Sequence, residues 1–332
     1  QKIFQIISYI NIMQNNLISE SKDSIDLAVK FLKNEKLVAI HTETVYGVAC
    51  DPSSILAIKK LYELKKRPSY NPLIIHINSI KSAEKIAFIN RDAKLIMKSF
   101  WPGPLTLILP LRRNNLIHDF AISGLKTIAI RQPQSKLMRD ILNQFKKPIA
   151  APSANESGYA SATDSKHVID SFGKRIDLVI DSGRTNYGVE STILDMTSVP
   201  YEVKRLGVID HEEIEKRTGV NISLPNAIES NQSKPNSPGQ LLKHYSTRTP
   251  IQINTYKPDI DDAFLNFGKI NTSSHEPSLN LSKSSNLEEA AYNLFDFLRK
   301  LDKFKKKRIV VVPIPNKGIG KTINERLLRA SI

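Results

Sequence analysis

At 332 residues the chain is longer than one hydrophobic core usually supports, so two domains joined by a linker are expected. With 40% apolar and 24% charged residues it is neither disordered nor fibrous, and its single cysteine, Cys50, excludes an intrachain disulfide or a Cys-built zinc cluster and points to a reducing, cytoplasmic setting. A formal net charge of +15 favours polyanionic partners, from a nucleoside triphosphate to RNA, alongside the plainer reading of a lysine-rich solvated surface.

In chain order, residues 1–20 are apolar side chains broken up by Gln5, Ser8, Asn11, Gln14, Asn15 and Asn16. That is the pattern of neither a secretory signal nor a membrane span, and an N-terminal extension is expected there. Residues 21–220 alternate short β-branched runs with amphipathic stretches, as an α/β domain does. Strands are expected at 37–40, 73–77, 105–110, 127–131, 148–151, 178–181, 191–196 and 201–206, with helices in the gaps. The first helix puts Ile25, Ala28, Val29 and Leu32 on one face, and the next, over 53–66, carries Leu56, Leu61 and Leu64 among lysines. Residues 221–238 turn to Asn, Ser and Pro and mark a linker, expected over 221–248. A small second α/β unit is expected over 249–332, with strands at 251–254 and 308–313, a helix at 287–300 and a terminal helix from Gly320.

The first strand runs into His41–Gly47, HTETVYG, a polar loop at the carboxyl end of a buried strand, where open α/β sheets collect ligands. A turn capped by its own Thr and Glu side chains fits the spacing equally. Lys65, Lys66 and Arg67 stand just before Pro68 and Pro72, which stop the helix and fix the cations in a turn. That suits polyphosphate, although taken alone the turn fits a solvated helix end better. His76 lies in an apolar strand beside that turn, as a ligand or as a satisfied core side chain. Arg131 and Arg205 end strands, while the small residues of Ala150–Asn155 admit a ligand to the backbone. Ser153 and Asn155 offer hydroxyl and amide groups suited to phosphate or ribose. The arginines at two strand ends and the lysine-arginine turn together give enough positive charge to hold a triphosphate without a Walker loop.

Taken in order, HTETVYG, KKRPSYNPLIIHI, FWPGPLTLIL, TIAIR, APSAN, YGVEST and VKRLG resemble the threonylcarbamoyl-AMP synthases of the YrdC-like fold, strongly over residues 20–250 and loosely to 332. SPGQLLKHYS and GIGKTINERLLRAS resemble the long form of that family, which has an additional C-terminal domain. The resemblance implies a twisted mixed sheet flanked by helices, a linker closing the active site and a second, Rossmann-like α/β domain. It implies condensation of L-threonine, bicarbonate or CO2 and ATP to threonylcarbamoyl-AMP and pyrophosphate. This nucleotidyl transfer would feed the threonylcarbamoyl-adenosine modification of tRNA beside the anticodon, with a downstream tRNA threonylcarbamoyltransferase machinery as partner and tRNA or double-stranded RNA as a second candidate partner. By the same resemblance Lys65 and Arg67, the catalytic pair, and Asn71 hold the ATP phosphates. Thr127, Ser153, Asn155, Ser161, Arg205, His244 and Ser246 complete the nucleotide site. Thr44, His76, Arg131, Ala151 and Ser191 surround threonine, with Arg131 on its carboxylate. No acidic cage is evident in the sequence, so no metal ligands are assigned and Mg2+ is expected to arrive on ATP. His41 stands where the family commonly has proline, as does Ala162 after Ser161.

Other functions have some footing. The tail over 313–322 opens a helix after a strand like a phosphate-binding loop, but Pro315 stands where its first glycine belongs. The run from Lys303 to Arg308 suits a plain RNA-binding protein, holding tRNA or double-stranded RNA without chemistry. A carbamoyl-transfer enzyme built on a related domain would carry a Cys-rich zinc region and an acylphosphatase-like segment, which this sequence lacks.

Overall fold

A computed structural model describes residues 16–113, 116–224, 244–269 and 275–332. Residues 1–15 of the expected extension and 225–243 of the expected linker lie outside the described residues.

Polar caps start the helices where the sequence changes from loop to amphipathic pattern. Ser21, Ser54, Asn90 and Ser135 each accept a backbone N–H three residues on, opening Lys22–Lys33, Ile55–Lys65, Arg91–Phe100 and Lys136–Phe145. Two mixed sheets form the first body. In one, Leu17–Ser19, Leu178–Asp181 and Val38–Ile40 run parallel, and Gly47–Ala49 closes the edge antiparallel to Val38–Ile40. Residues 17–19, placed by the sequence reading in an extension, therefore belong to this sheet. The helices Lys22–Lys33 and Lys136–Phe145 cover it, packing Ala28, Val29 and Leu32 with Leu137, Ile141 and Leu142 over Val38, Ile40, Leu178 and Ile180.

The second sheet has seven strands in the order Ile222–Ser223, Tyr201–Arg205, Thr192–Asp195, Leu105–Pro110, Thr127–Arg131, Ile74–His76 and Ile149–Ala150. Bridges pairing Cys50 with Ala150 and Gly47 with Ser153 tie the two sheets together. Ile222 and Ser223 pair with Tyr201 and Glu202, so the first body runs two residues past the expected start of the linker.

The C-terminal body is a four-stranded, all-parallel sheet, Ile251–Gln252, Ile309–Val311, Ala263–Asn266 and Ser278–Asn280 in that order, with helices Leu287–Asp302 and Ile319–Ala330. Its hydrophobic core takes in Ala160 and Val189 of the first body. Gly188, at φ +74°, lets Leu287–Asp302 approach so closely that a Cβ there would sit 2.6 Å from the carbonyl oxygen of Ala291. Arg299 donates to the carbonyl of Ala160 at 2.5 Å, and the Arg184 guanidinium lies 3.9 Å from the Tyr292 ring centroid. Lys321, the lysine of the phosphate-loop-like tail, instead pairs with Asp210 and Glu212 of the first body. Lys303 pairs with Asp170, and Arg308 with Asp259 and Asp262, so both ends of the Lys303–Arg308 run are engaged with carboxylates. Among the described residues no helix is long and apolar enough to cross a membrane.

Candidate active site

The parallel strands Ile74–His76 and Thr127–Arg131 end together, with His76 and Arg131 as register partners. Thr42 and residues 44–47, residues 151–153, Glu190 and Ser191, Arg67, Arg205 and His244 converge around them and line one cavity. Of the residues assigned from sequence, it brings together Thr44, Arg67, His76, Arg131, Ala151, Ser153, Ser191, Arg205 and His244. Lys65, Asn71, Asn155, Ser161 and Ser246 stand buried outside that lining. Thr127 lies at the far end of its strand, on the face it shares with Ala129 and Arg131 by the two-residue period of a strand. That face also carries a small apolar patch of Ile74, Ile108, Ala129 and Ile193.

One wall is cationic. The helix Ile55–Lys65 ends in left-handed Lys66, at φ +50°, and Pro68 and Pro72 prevent its continuation, so Lys65 and Arg67 are delivered at a fixed turn. Lys65 Nζ donates to the carbonyls of Ser153 and Asn155, both at 2.5 Å. Arg67 donates to the Asn71 carbonyl at 3.0 Å, to Asn71 Oδ1 at 2.6 Å and to the Pro72 carbonyl at 2.7 Å. Arg205 donates to the Ser191 carbonyl and hydroxyl. Among the described residues, none of these three cations is in ion-pair contact with a carboxylate. Burial, and then the nearby Arg67, holds Lys65 well below the usual lysine range. Burial brings Arg67 down to about 10 and lowers Arg205 as well. Three buried cations facing neutral oxygens leave the site short of negative charge.

The opposite wall is balanced. Arg131 Nη2 pairs with Glu43 Oε1 at 2.5 Å, Nη1 donates to Thr44 Oγ1 at 2.9 Å, and Nε to the Gly103 carbonyl at 3.2 Å. Glu43 Oε2 also accepts the Ser135 backbone N–H at 3.1 Å. Burial pushes the Glu43 carboxyl up, and Arg131 outweighs it, leaving the group below its ordinary value. The capping anticipated for this loop is done by Thr42, whose hydroxyl donates to the Val45 carbonyl and accepts the Val45 N–H. His76 is driven down to about 3 by burial and by Arg131, so it stays neutral. The two non-proline positions are held by other means: His41 packs edge-on against Tyr46, and the Ala162 carbonyl accepts the Tyr46 N–H at 2.8 Å.

Two acidic residues without an assigned role thus join the site. Glu43 lies in HTETVYG and Glu190 in YGVEST, so motif membership was the signal available. Glu190 accepts from Ser161 Oγ and pairs with Arg326 of the C-terminal body at 2.9 Å. Around the same cavity, buried Asn71 Nδ2, His76 Nδ1, Asn155 Oδ1, His244 Nδ1, Tyr245 OH and Ser246 Oγ have no hydrogen-bond partner among the described residues. Buried polar atoms are rarely left so, and their concentration here fits a ligand with many polar atoms.

A family model described as telomere recombination matches residues 30–207, and one described as threonylcarbamoyl-AMP synthase, C-terminal domain, matches residues 209–331. The threonylcarbamoyl-AMP synthase of Pyrococcus abyssi is 35% identical over 320 residues, covering 92% of this chain and 94% of the relative. The chain belongs to the threonylcarbamoyl-AMP synthase family. The family's Bacillus subtilis member is 35% identical over 329 residues, with 95% of this chain and 94% of that protein covered. The crystal structure of P. abyssi Sua5 complexed with L-threonine superposes with a TM-score of 0.87 at 33% identity, over 95% of this chain and 96% of that one. Membership in this synthase family makes the chain an enzyme and favours catalysis over non-catalytic RNA binding.

Proposed function

We propose that this chain condenses L-threonine, bicarbonate or CO2 and ATP into threonylcarbamoyl-AMP and pyrophosphate, acting as a nucleotidyltransferase. The observation that carries the reading is the wall of three buried cations without carboxylate partners, Lys65, Arg67 and Arg205, beside a cavity whose other wall holds Arg131. Threonine sits with its carboxylate on Arg131, among Thr44, His76, Ala151 and Ser191. ATP lies along the other side, its phosphates on Lys65, Arg67 and Asn71, with Thr127, Ser153, Asn155, Ser161, Arg205, His244 and Ser246 completing the nucleotide site.

The threonine amine first adds CO2 to give a carbamate. A carbamate oxygen then attacks the α-phosphorus, the bond to the bridging oxygen breaks, and pyrophosphate leaves. No protein nucleophile takes part. The chain contributes by holding the two reactants in line and by placing cations over the developing phosphate charge. Neutral His76 can accept or donate a hydrogen bond without adding charge to the threonine side. Glu190, the carboxylate that lines the cavity among the described residues, is already engaged by Arg326 and Ser161, which supports Mg2+ entering as the ATP complex. His244 and Tyr245 close the cavity and protect the carbamate from water. The adenylate then passes to a tRNA threonylcarbamoyltransferase machinery.

The test is to incubate purified chain with ATP, bicarbonate and labelled threonine and to follow labelled adenylate and pyrophosphate. Pyrophosphate release in proportion to adenylate, and dependent on threonine, is expected. ATP turnover indifferent to threonine would overturn the proposal.

A further inference from the structure

We infer that Arg326, in the terminal helix Ile319–Ala330, is a positioning residue for nucleotide binding: it holds Glu190 and the His244–Tyr245 segment in the arrangement that admits ATP. The inference rests on the proposed nucleotide reading of the cavity.

Thr322, Arg326 and Arg329 follow one another at helical spacing, and each makes a polar tie at the join between the bodies or to the returning linker. Thr322 Oγ1 donates to the Gly207 carbonyl at 2.8 Å. Arg326 is fully buried; its Nε donates to Glu190 Oε2 at 2.9 Å and its Nη2 to the Leu206 carbonyl at 2.7 Å. Its guanidinium also lies 4.6 Å from the centroid of the Tyr245 ring. The Arg329 carbonyl accepts the His244 backbone N–H at 3.3 Å. Tyr245 in turn stacks on Phe295 of the C-terminal core and meets the His244 ring edge-on at 4.0 Å. One arginine from outside the catalytic body thus touches both a cavity-lining carboxylate and the aromatic ring that anchors a cavity-lining histidine.

The charge arithmetic explains why such a residue is needed. Burial pushes the Glu190 carboxyl up, and Arg326, Arg205 and the Ser161 hydroxyl together outweigh it, so it remains ionised. An ionised carboxylate lining a triphosphate site opposes the ligand unless its charge is already spent. Arg326 spends it from behind, leaving Arg67 and Arg205 free for phosphate. Without Arg326, the carboxylate would draw those cations toward itself or repel the nucleotide, and the Tyr245 ring would lose the cation beneath it.

The experiment measures ATP and threonine affinities of the full chain by calorimetry for the parent, Arg326→Met, Arg326→Lys and the double variant Glu190→Gln with Arg326→Met. Arg326→Met is expected to weaken ATP binding at least tenfold and Arg326→Lys by a smaller factor, with threonine affinity within twofold of the parent. Arg326 also pairs through Nη1 with Glu325, which Arg329 holds as well, so the double variant removes Glu190 together with its counter-charge and leaves Glu325 on Arg329; it is expected to return to within threefold of the parent for ATP. ATP affinity unchanged in Arg326→Met, or weaker still in the double variant, overturns the inference, as does an equal loss for both ligands, which marks a merely structural role. If Arg326→Met fails to fold, parental ATP affinity in Arg326→Lys is the overturning result. A parent chain that binds ATP but forms no threonylcarbamoyl-AMP sinks the proposed reaction while these affinities still decide the role of Arg326; a parent that binds no ATP sinks both.

Discussion

Replacing Lys65 with methionine separates chemistry from stability, because the same side chain is costly to bury and is assigned to the phosphates in the proposed reaction. Met keeps the stem and volume but removes a fully buried ammonium and its bonds to the Ser153 and Asn155 carbonyls. Leaving those carbonyls unpaired costs about 1–3 kcal/mol each. Relief from burying a cation already held well below its usual protonation range offsets part of this. The net loss is about 2 kcal/mol, a drop in Tm of about 4–8 °C at the size of these bodies. In the proposed reaction the same ammonium would face charge developing on the phosphates, where removal of one donor costs about 2.7–4 kcal/mol, or ~10²–10³ in rate. Threonine-dependent pyrophosphate release, assayed at 20 °C beside a thermal melt, should therefore fall ~10²–10³-fold while the protein stays folded. Release near the parental rate would refute the assignment of Lys65. So would a loss that tracks the unfolded fraction.

Arg131→Lys keeps a positive charge but loses the fork shared between Glu43 and Thr44; threonine affinity measured by calorimetry should fall at least tenfold, with ATP affinity nearly unchanged. Acid should destabilise the fold through His76 and His244, both lowered to about 3 chiefly by burial. The unfolded chain binds protons at these positions below its ordinary value of about 6.5 while the folded chain does not, so stability falls as pH drops through the window from about 6.5 to about 3. Between pH 7 and pH 5 each histidine accounts for about 2 kcal/mol in urea titrations, and His76→Gln should flatten the profile by about that amount. Gly188→Ala should cost several kcal/mol, because φ +74° disfavours any Cβ and the added methyl meets backbone of Leu287–Asp302 at 2.6 Å; an unchanged thermal melt would show that the two bodies have slack between them.

Sequence patterning carried the site further than it carried the sheet edges. Pro68 and Pro72 made the Lys65–Arg67 turn readable, since proline fixes where a helix must stop. Strands of five or six residues such as Leu105–Pro110 and Thr127–Arg131 announced themselves by apolar runs. Leu17–Ser19, Gly47–Ala49, Ile222–Ser223 and Ser278–Asn280 did not: two or three residues are too few for alternation to register, and these exist because neighbouring strands offer hydrogen bonds. Ion-pair partners were equally hidden. Glu43 finds Arg131 across 88 residues and Glu190 finds Arg326 across 136, distances over which spacing carries no signal. In the terminal helix, Ile323, Leu327 and Ala330 mark the inner face of the C-terminal body, and Arg326 beside them passes for a surface charge until the first body is docked on it.

Because Ala160 and Val189 are packed into the C-terminal core, the seam between the two bodies is a feature of the chain's order and not of its packing. Two polypeptides made separately, one ending near residue 224 and the other beginning before His244, should each present an oily surface that only the other can cover. Such halves would be expected to find each other when produced together, and neither could be exchanged for a distant cousin's without reshaping that shared surface.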